Sequence, residues 1–241
     1  MSDRPRRDER PWSEVSRTAA LTFALGIVAQ VFMHAIAPAP VARATDLGPP
    51  PGLRSVVASS LGDPLAGAKF MNLLLQAHDN QPGMSIPFRD LDYRMVARWL
   101  ARILEIDPQG QYPLLAASRL YGEVADPARQ RLMLEFVHQQ FFADPVRRWP
   151  ALAHAAHVAR HGLGDLELAR KYSRSLRERA TGPTVPAWAR QMEIFLLADM
   201  NQAESARVLL GGLLSSGEVA DPSEYRFLAG RLAELEAVSR R

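Results

Sequence analysis

Hydrophobic positions fall into two regimes along the chain. From Thr18 to Ala37 the sequence TAALTFALGIVAQVFMHAIA runs for twenty residues without a formal charge. A helix of that length crosses about 30 Å of hydrocarbon at about 1.5 Å rise per residue. Further on, apolar residues recur at helical spacing instead. Val96, Trp99, Leu100 and Ile103 follow i, i+3, i+4, i+7 and predict an amphipathic helix over residues 90–106. Leu114, Ala117, Tyr121 and Val124 predict the next helix, and Leu132, Phe136, Val137 and Phe141 a third. Leu152, Ala153, Ala156 and Ala159 predict a closely packed helix, broken near Gly162-Leu163-Gly164. Leu168, Ala169, Tyr172 and Leu176 follow, then Trp188, Met192, Phe195 and Leu196. Val208, Leu209, Gly212 and Leu213 come next, and Phe227, Leu228, Leu232 and Leu235 close the series. No stretch shows the two-residue alternation of a half-buried strand. The pattern predicts an all-α protein: one transmembrane helix, then an antiparallel array of helices.

Punctuation supports the division. Asp-Pro occurs at Asp63-Pro64, Asp107-Pro108, Asp126-Pro127, Asp144-Pro145 and Asp221-Pro222. An Asp N-cap before Pro at the first helical position is a sound helix start, because the carboxylate accepts an orphan amide bond and proline lacks one. Pro38, Pro40, Pro49, Pro50, Pro51 and Gly52 predict an extended tether. The expected organisation is a head over residues 1–17, an anchor over 18–37, a tether over 38–62 and a helical domain over 63–241. Arg4, Arg6, Arg7, Arg10 and Arg17 precede the apolar run, whereas Arg43 and Arg54 follow it. The positive-inside rule therefore places the amino terminus in the cytoplasm and the body across the membrane. Ala42-Arg43-Ala44 offers the competing reading, a signal peptide cleaved before Thr45.

Composition narrows the setting. Of 29 basic residues only Lys69 and Lys171 are lysine, a skew that reads as a GC-rich bacterial genome, so the expected location is the bacterial inner membrane with a periplasmic body. Cysteine is absent, which excludes disulfides, thiolate metal sites and c-type haem attachment. The net charge of +3 is dispersed and acids are interleaved, so no nucleic-acid surface is expected.

The turns also repeat. Pro108, Pro145, Pro183 and Pro222 lie at intervals of 37, 38 and 39 residues, and Ala169 in GDLELA lies 37 residues before Ala206 in NQAESA. Hairpins of this kind bury their apolar faces by stacking. In WLARILEIDP (Trp99 to Pro108), LGDLELARKY (Leu163 to Tyr172) and the aromatic Tyr121 the chain resembles the tetratricopeptide repeat (TPR) family over residues 90–238. It departs from that family in its longer period, in Leu114 where tryptophan is preferred, and in Ala117-Ser118 where Leu-Gly is. The resemblance implies a TPR-like α-hairpin solenoid that binds protein in a groove lined by its first helices.

Motifs for chemistry are scarce. Gly162-Leu163-Gly164 lacks the third glycine and preceding strand of a dinucleotide site, and no nucleophile elbow or H-E-x-x-H motif occurs. His154, His157 and His161, followed by Asp165, would share a face if one helix ran through them, but the glycines interrupt it, so no metal site and no cofactor is expected. Glu105, Asp107, Glu123 and Asp126 read as N-caps and solvated carboxylates rather than an acid/base pair. Met84, Ile86 and Phe88, in the loop HDNQPGMSIPFR, either plug back onto the first hairpin or offer a docking surface, and the same choice applies to Phe141-Phe142. It applies equally to Arg147-Arg148-Trp149, which either packs back on the body or offers an exposed basic-aromatic edge to a partner. In the TPR-like register Arg119, His154 and His161 face the groove, and in the membrane Gln30 and His34 would dock on a partner helix.

The expected function is a membrane-tethered protein-binding scaffold, adaptor or assembly factor of an envelope complex. The alternative is an integral accessory subunit of a membrane enzyme complex. A free-standing enzyme is the last reading.

Overall fold

A computed structural model of the protein describes residues 16–36, 47–81, 84–217, 219 and 221–239. The chain divides into a unit over residues 1–41 and a body over residues 42–241. The described residues form eleven α-helices and one β-ladder of two residue pairs, Asn80 with Ser85 and Gln81 with Met84. That ladder is the only departure from an all-α fold among the described residues; it is too short to carry the two-residue alternation by which a strand is recognised.

In the first unit α1 (Arg17–Ile36) is long and apolar enough to cross a membrane, and none of its residues is buried. The Thr22 hydroxyl donates to the Thr18 carbonyl at 2.9 Å, so this polar group is satisfied within the helix. Residues 1–15 and the possible cleavage site Ala42-Arg43-Ala44 lie outside the described residues.

The body starts earlier than its proline content suggests. Leu47 is buried, α2 (Leu53–Ser59) buries Val56, and the Trp99 indole donates Nε1–H to the Gly48 carbonyl at 2.9 Å. Residues 47–59 therefore pack on the domain, where an extended tether was expected. The remaining helices are α3 (Pro64–Asp79), α4 (Tyr93–Ile106), α5 (Tyr112–Arg119), α6 (Pro127–Phe141), α7 (Pro145–His161), α8 (Leu166–Arg179), α9 (Ala187–Asp199), α10 (Ala203–Ser215) and α11 (Pro222–Ser239).

Four of the five Asp-Pro pairs start helices. Asp63, Asp126, Asp144 and Asp221 each accept backbone N–H bonds of the first turn. Asp107 does not: it caps the C-terminal end of α4 and accepts the Gln109 amide in the turn that follows. Asp92 and Asp165 cap without proline. The helix expected through Val124 stops at Arg119 and gives way to a short 3₁₀ turn over Tyr121–Glu123, with Gly122 against the Ala117 carbonyl. Tyr121 is still buried, edge-on to Tyr93 and Phe88. Ile86 is buried as well, so this end of the loop lies back on the body; the side chains of residues 79–85, Met84 included, lie outside the described ones.

Packing follows chain order. From α6 to α11 every helix packs on its sequence neighbours, and further packing links α4 with α6 and α5 with α7. Small residues allow close approach: Ala151, Ala153, Ala155, Ala156 and Ala159 of α7 are all buried, beside Leu152. Ala169 and Ala206 are each the fourth residue of their helix, and both are fully buried. One core runs from Leu47 to Leu196, and a second, smaller one joins α9 to α10 and α11 through Ile194, Leu197, Ala206, Leu210, Leu228 and Leu235. In that C-terminal part the expected stripes are displaced. Val208, Phe227 and Trp188 are exposed, and α10 turns Ala206 and Leu210 inward instead of Val208 and Gly212.

Two predictions follow from this packing. Trp99→Ala lowers stability in urea by about 3–5 kcal/mol, since it leaves a cavity and removes the bond to Gly48, whereas Trp99→Phe costs less. Asp165 sits below the ordinary carboxylate range because the Leu168 amide and then Arg131, at 2.7 Å, stabilise its charge. A carboxyl depressed on folding contributes stability that is present above its unfolded value, about 3.9, and is lost as pH falls through the folded one. Asp165→Asn, which retains a capping oxygen, should flatten the acid limb of a stability–pH curve.

Candidate functional site

Residues singled out from the sequence separate into three places. His154, His157 and His161 do form a stripe on α7, with ring centroids 6.1 Å and 4.6 Å apart in succession. His154 Nε2 lies 2.7 Å from Glu123 Oε1. Asp165 leaves the stripe, because Gly164, at φ +65°, turns the chain before α8 and commits the carboxylate to Arg131 and the Leu168 amide. Arg119 is exposed in the last turn of α5.

The basic-aromatic edge does not exist as expected. Arg148 is 5 % exposed and donates to the Gln140 carbonyl at 2.6 Å and the Pro108 carbonyl at 3.0 Å. It thus ties the end of α6 to the α4–α5 turn, satisfying carbonyls that a helix end leaves over. Arg147 is exposed and pairs with Asp144 at 3.1 Å. Trp149 packs half-buried on the core, edge-on to Trp188 at 5.4 Å. Phe141 is fully buried, and Phe142 is exposed against His138. On α1, Gln30 follows Thr22 and Gly26 at four-residue steps along one shallow depression, and His34 is the next step.

A recess lies elsewhere, between α8 and α10 with α9 as its floor. One compartment, of about 600 Å³, is walled by Ile194, Val208, Leu209, Leu213 and Val219, with Arg177 and Arg190 at its edge. It shares Arg177, Val208 and Leu209 with a second compartment of about 420 Å³, lined by Arg170, Arg174 and Glu193. The groove exists because α8 and α10 both lie on α9 without closing over it, bridged at one end by Arg170 Nη1 donating to Gln202 Oε1 at 3.0 Å.

Glu193 organises this wall. Its side chain is 1 % exposed, yet three arginines of α8 converge on it: Arg174 Nε at 3.1 Å, Arg177 Nε at 2.8 Å and Arg170 Nε at 3.7 Å. Positions 170, 174 and 177 are i, i+4 and i+7, so one helical face presents all three. An ionised carboxylate tolerates such burial only with charge-assisted partners. The remaining carboxylates are also engaged. Glu178 pairs with Arg177, Glu204 with Arg207, and Glu224 accepts from Gln191 Nε2 at 2.6 Å.

Sequence reasoning missed this constellation. Glu193 sits one position after Met192 on a helix whose apolar stripe was drawn correctly only in part, and an arginine-rich helix face ordinarily reads as solvated. The available signal was the i, i+4, i+7 arginine spacing facing a helix with only two acids, of which Asp199, at its end, pairs with Arg160. No family model matches the chain, and no curated protein or solved structure matches it either.

Glu193→Gln should lower stability by roughly 1–3 kcal/mol in urea. That is below the 3–5 kcal/mol of a wholly buried pair, because the arginine ends reach water. A substitution without effect on the urea midpoint would show that the carboxylate is dispensable to the wall.

Proposed function

We propose that the protein is a membrane-tethered protein-binding scaffold, adaptor or assembly factor of a bacterial envelope complex, with α1 as a single-pass anchor, the amino terminus cytoplasmic and the body periplasmic. The observation that carries the binding role is the open groove between α8 and α10, an apolar wall and an arginine wall facing each other on the surface. Sites of this composition suit peptide recognition, where apolar anchors give affinity and charged rims give orientation. The arrangement of the body as a TPR-like solenoid is supported by the proline spacing, by packing in chain order, and by the matching burial of Ala169 and Ala206. In this reading the groove lies between second helices of successive hairpins, whereas Arg119, His154 and His161 sit on first helices, where the family resemblance puts its binding surface.

One observation favours the accessory-subunit alternative. Gln30 shares a face of α1 with Thr22 and Gly26, and an amide on a membrane-crossing helix is least costly when a neighbouring helix pairs with it.

Affinity purification from detergent-solubilised membranes tests both. The scaffold reading expects a stoichiometric protein partner that survives Gln30→Leu; the subunit reading expects cofactor-bearing membrane subunits lost with that substitution. A reporter active only outside the cytoplasm should work when fused after Arg241 and fail when fused before Met1. Mature protein beginning at Thr45 would overturn the retained anchor.

A further inference from the structure

We infer that the groove between α8 and α10 takes a short amphipathic segment of a partner protein, with its carboxylates against Arg174 and Arg177 and its aliphatic side chains against Val208, Leu209 and Leu213. This rests on the protein-binding reading and gives the partner its chemistry.

The apolar half of the argument comes from α10. Ala206 and Leu210 already supply the face that packs on α9 and α11, yet the helix carries a second apolar face toward the groove, and Val208 on it is 60 % exposed. Leu209 and Leu213 on this face are half-buried against the C-terminal core cluster, whereas Val208 and Gly212 stand exposed. Gly212 lies on it, and a Cβ built there meets no atom within 4 Å. Glycine weakens a helix interior, and no contact within the protein requires it here. A bare backbone at the middle of a groove instead leaves room for another chain to come close.

The polar half comes from an imbalance of donors over acceptors. Glu193, Glu178, Glu204 and Glu224 all accept from groups of this chain. A guanidinium has five N–H donors. Arg174 gives its Nε to Glu193 and leaves its side chain 48 % exposed, and Arg177 is 34 % exposed. Glu178, at 48 %, and Glu204, at 61 %, are exposed too, but each is already held by an arginine of this chain, so a ligand carboxylate finds guanidinium N–H donors that it suits in charge and in geometry. Among the described lining residues the formal charges balance, four arginines (Arg170, Arg174, Arg177 and Arg190) to the four glutamates. That balance disfavours a polyanion such as nucleic acid and favours one or two well-placed carboxylates. The groove is also open and has polar groups at both edges, which suits a peptide better than a fatty-acyl chain, whose tail needs an enclosed sleeve. From Ser205 to Ser216 α10 offers a wall of about three turns, so a matching segment is about 12 residues long.

The test pans full-length protein in detergent against a phage-displayed library of random peptides about 12 residues long, just over three helical turns. Selected peptides should be acidic, with Asp or Glu three or four residues from Leu, Ile, Met or Phe. Gly212→Phe and Val208→Asp both alter exposed positions; each should weaken binding at least about tenfold without lowering Tm, the loss expected when an anchor or a charge-assisted contact goes. Arg174→Glu should shift selection toward basic peptides. A basic or charge-blind consensus, no selection at all, or affinity indifferent to Gly212→Phe overturns the inference. So does an anionic lipid that copurifies and is lost with Val208→Asp, or a dimer dissolved by it, since either gives the groove to a different occupant. A membrane partner captured equally well by wild type and Gly212→Phe removes the groove while leaving the scaffold reading intact. Peptide selection without any membrane partner does the reverse.

Discussion

Glu193 is placed where a carboxylate is costly, on the inner side of α9 with its side chain 1 % exposed. It can stay there only because α8 brings Arg170, Arg174 and Arg177 onto one face and turns that face inward across the α8–α9 hairpin. The consequence is geometric. Three long cationic side chains of α8 converge on one carboxylate of α9, while α8 and α10 both pack on α9. An apolar set of similar volume would be at least as stable in general terms. It would not leave guanidinium ends at the lip of a groove. The ion cluster therefore acts on shape and surface chemistry more than on net stability.

The division of the core fits that picture. Most of the body is one continuous apolar cluster reaching from Leu47 to Leu196, whereas the last two helices share a small cluster with α9 alone. Local stability scales with buried apolar contact, so the pair α10 and α11 is the part expected to open first. A groove on its seam with α8 and α9 thus sits where the fold is most adjustable, between a rigid wall held by Ala169, Tyr172 and Leu176 and a lighter one held by Ala206 and Leu210.

How far the sequence could be read depended on what each signal measures. Apolar periodicity reports burial on one dominant face, and it worked where a helix has one: Val96, Trp99, Leu100 and Ile103 are all buried, as are Leu152, Ala153, Ala156 and Ala159. It failed on α10, which is apolar on two faces, because a stripe cannot say which face finds a neighbour. Asp-Pro read correctly at four positions, since capping is local chemistry. At Asp107 the same dipeptide ends a helix, because the turn to α5 takes the residues that the cap would have started. Proline content over residues 47–52 suggested an extended tether, but a single long-range bond, Trp99 to Gly48, together with Leu47 fastens that stretch to the body. Arg148 shows the same limit: exposed or buried, an arginine reads alike in sequence, and its role depends on two carbonyls eight and forty residues away.

The histidine stripe and the arginine wall are two of the concentrations of titratable groups among the described residues, beside the cluster of Glu135, His138, Lys171 and Tyr172, and they differ in kind. The stripe lies along one helix, with His154 half-buried against Glu123 and stacked on His157, and with His161 tilted against His157. The wall spans two helices, is fixed by a buried counter-charge, and borders a cavity with a partly exposed apolar face opposite. Recognition needs both an anchor that is desolvated and a polar group held in place before the partner arrives. Among the described residues the α8–α10 groove brings such groups together: Glu193 fixes the arginines, and α10 leaves Val208 exposed beside the half-buried Leu209 and Leu213.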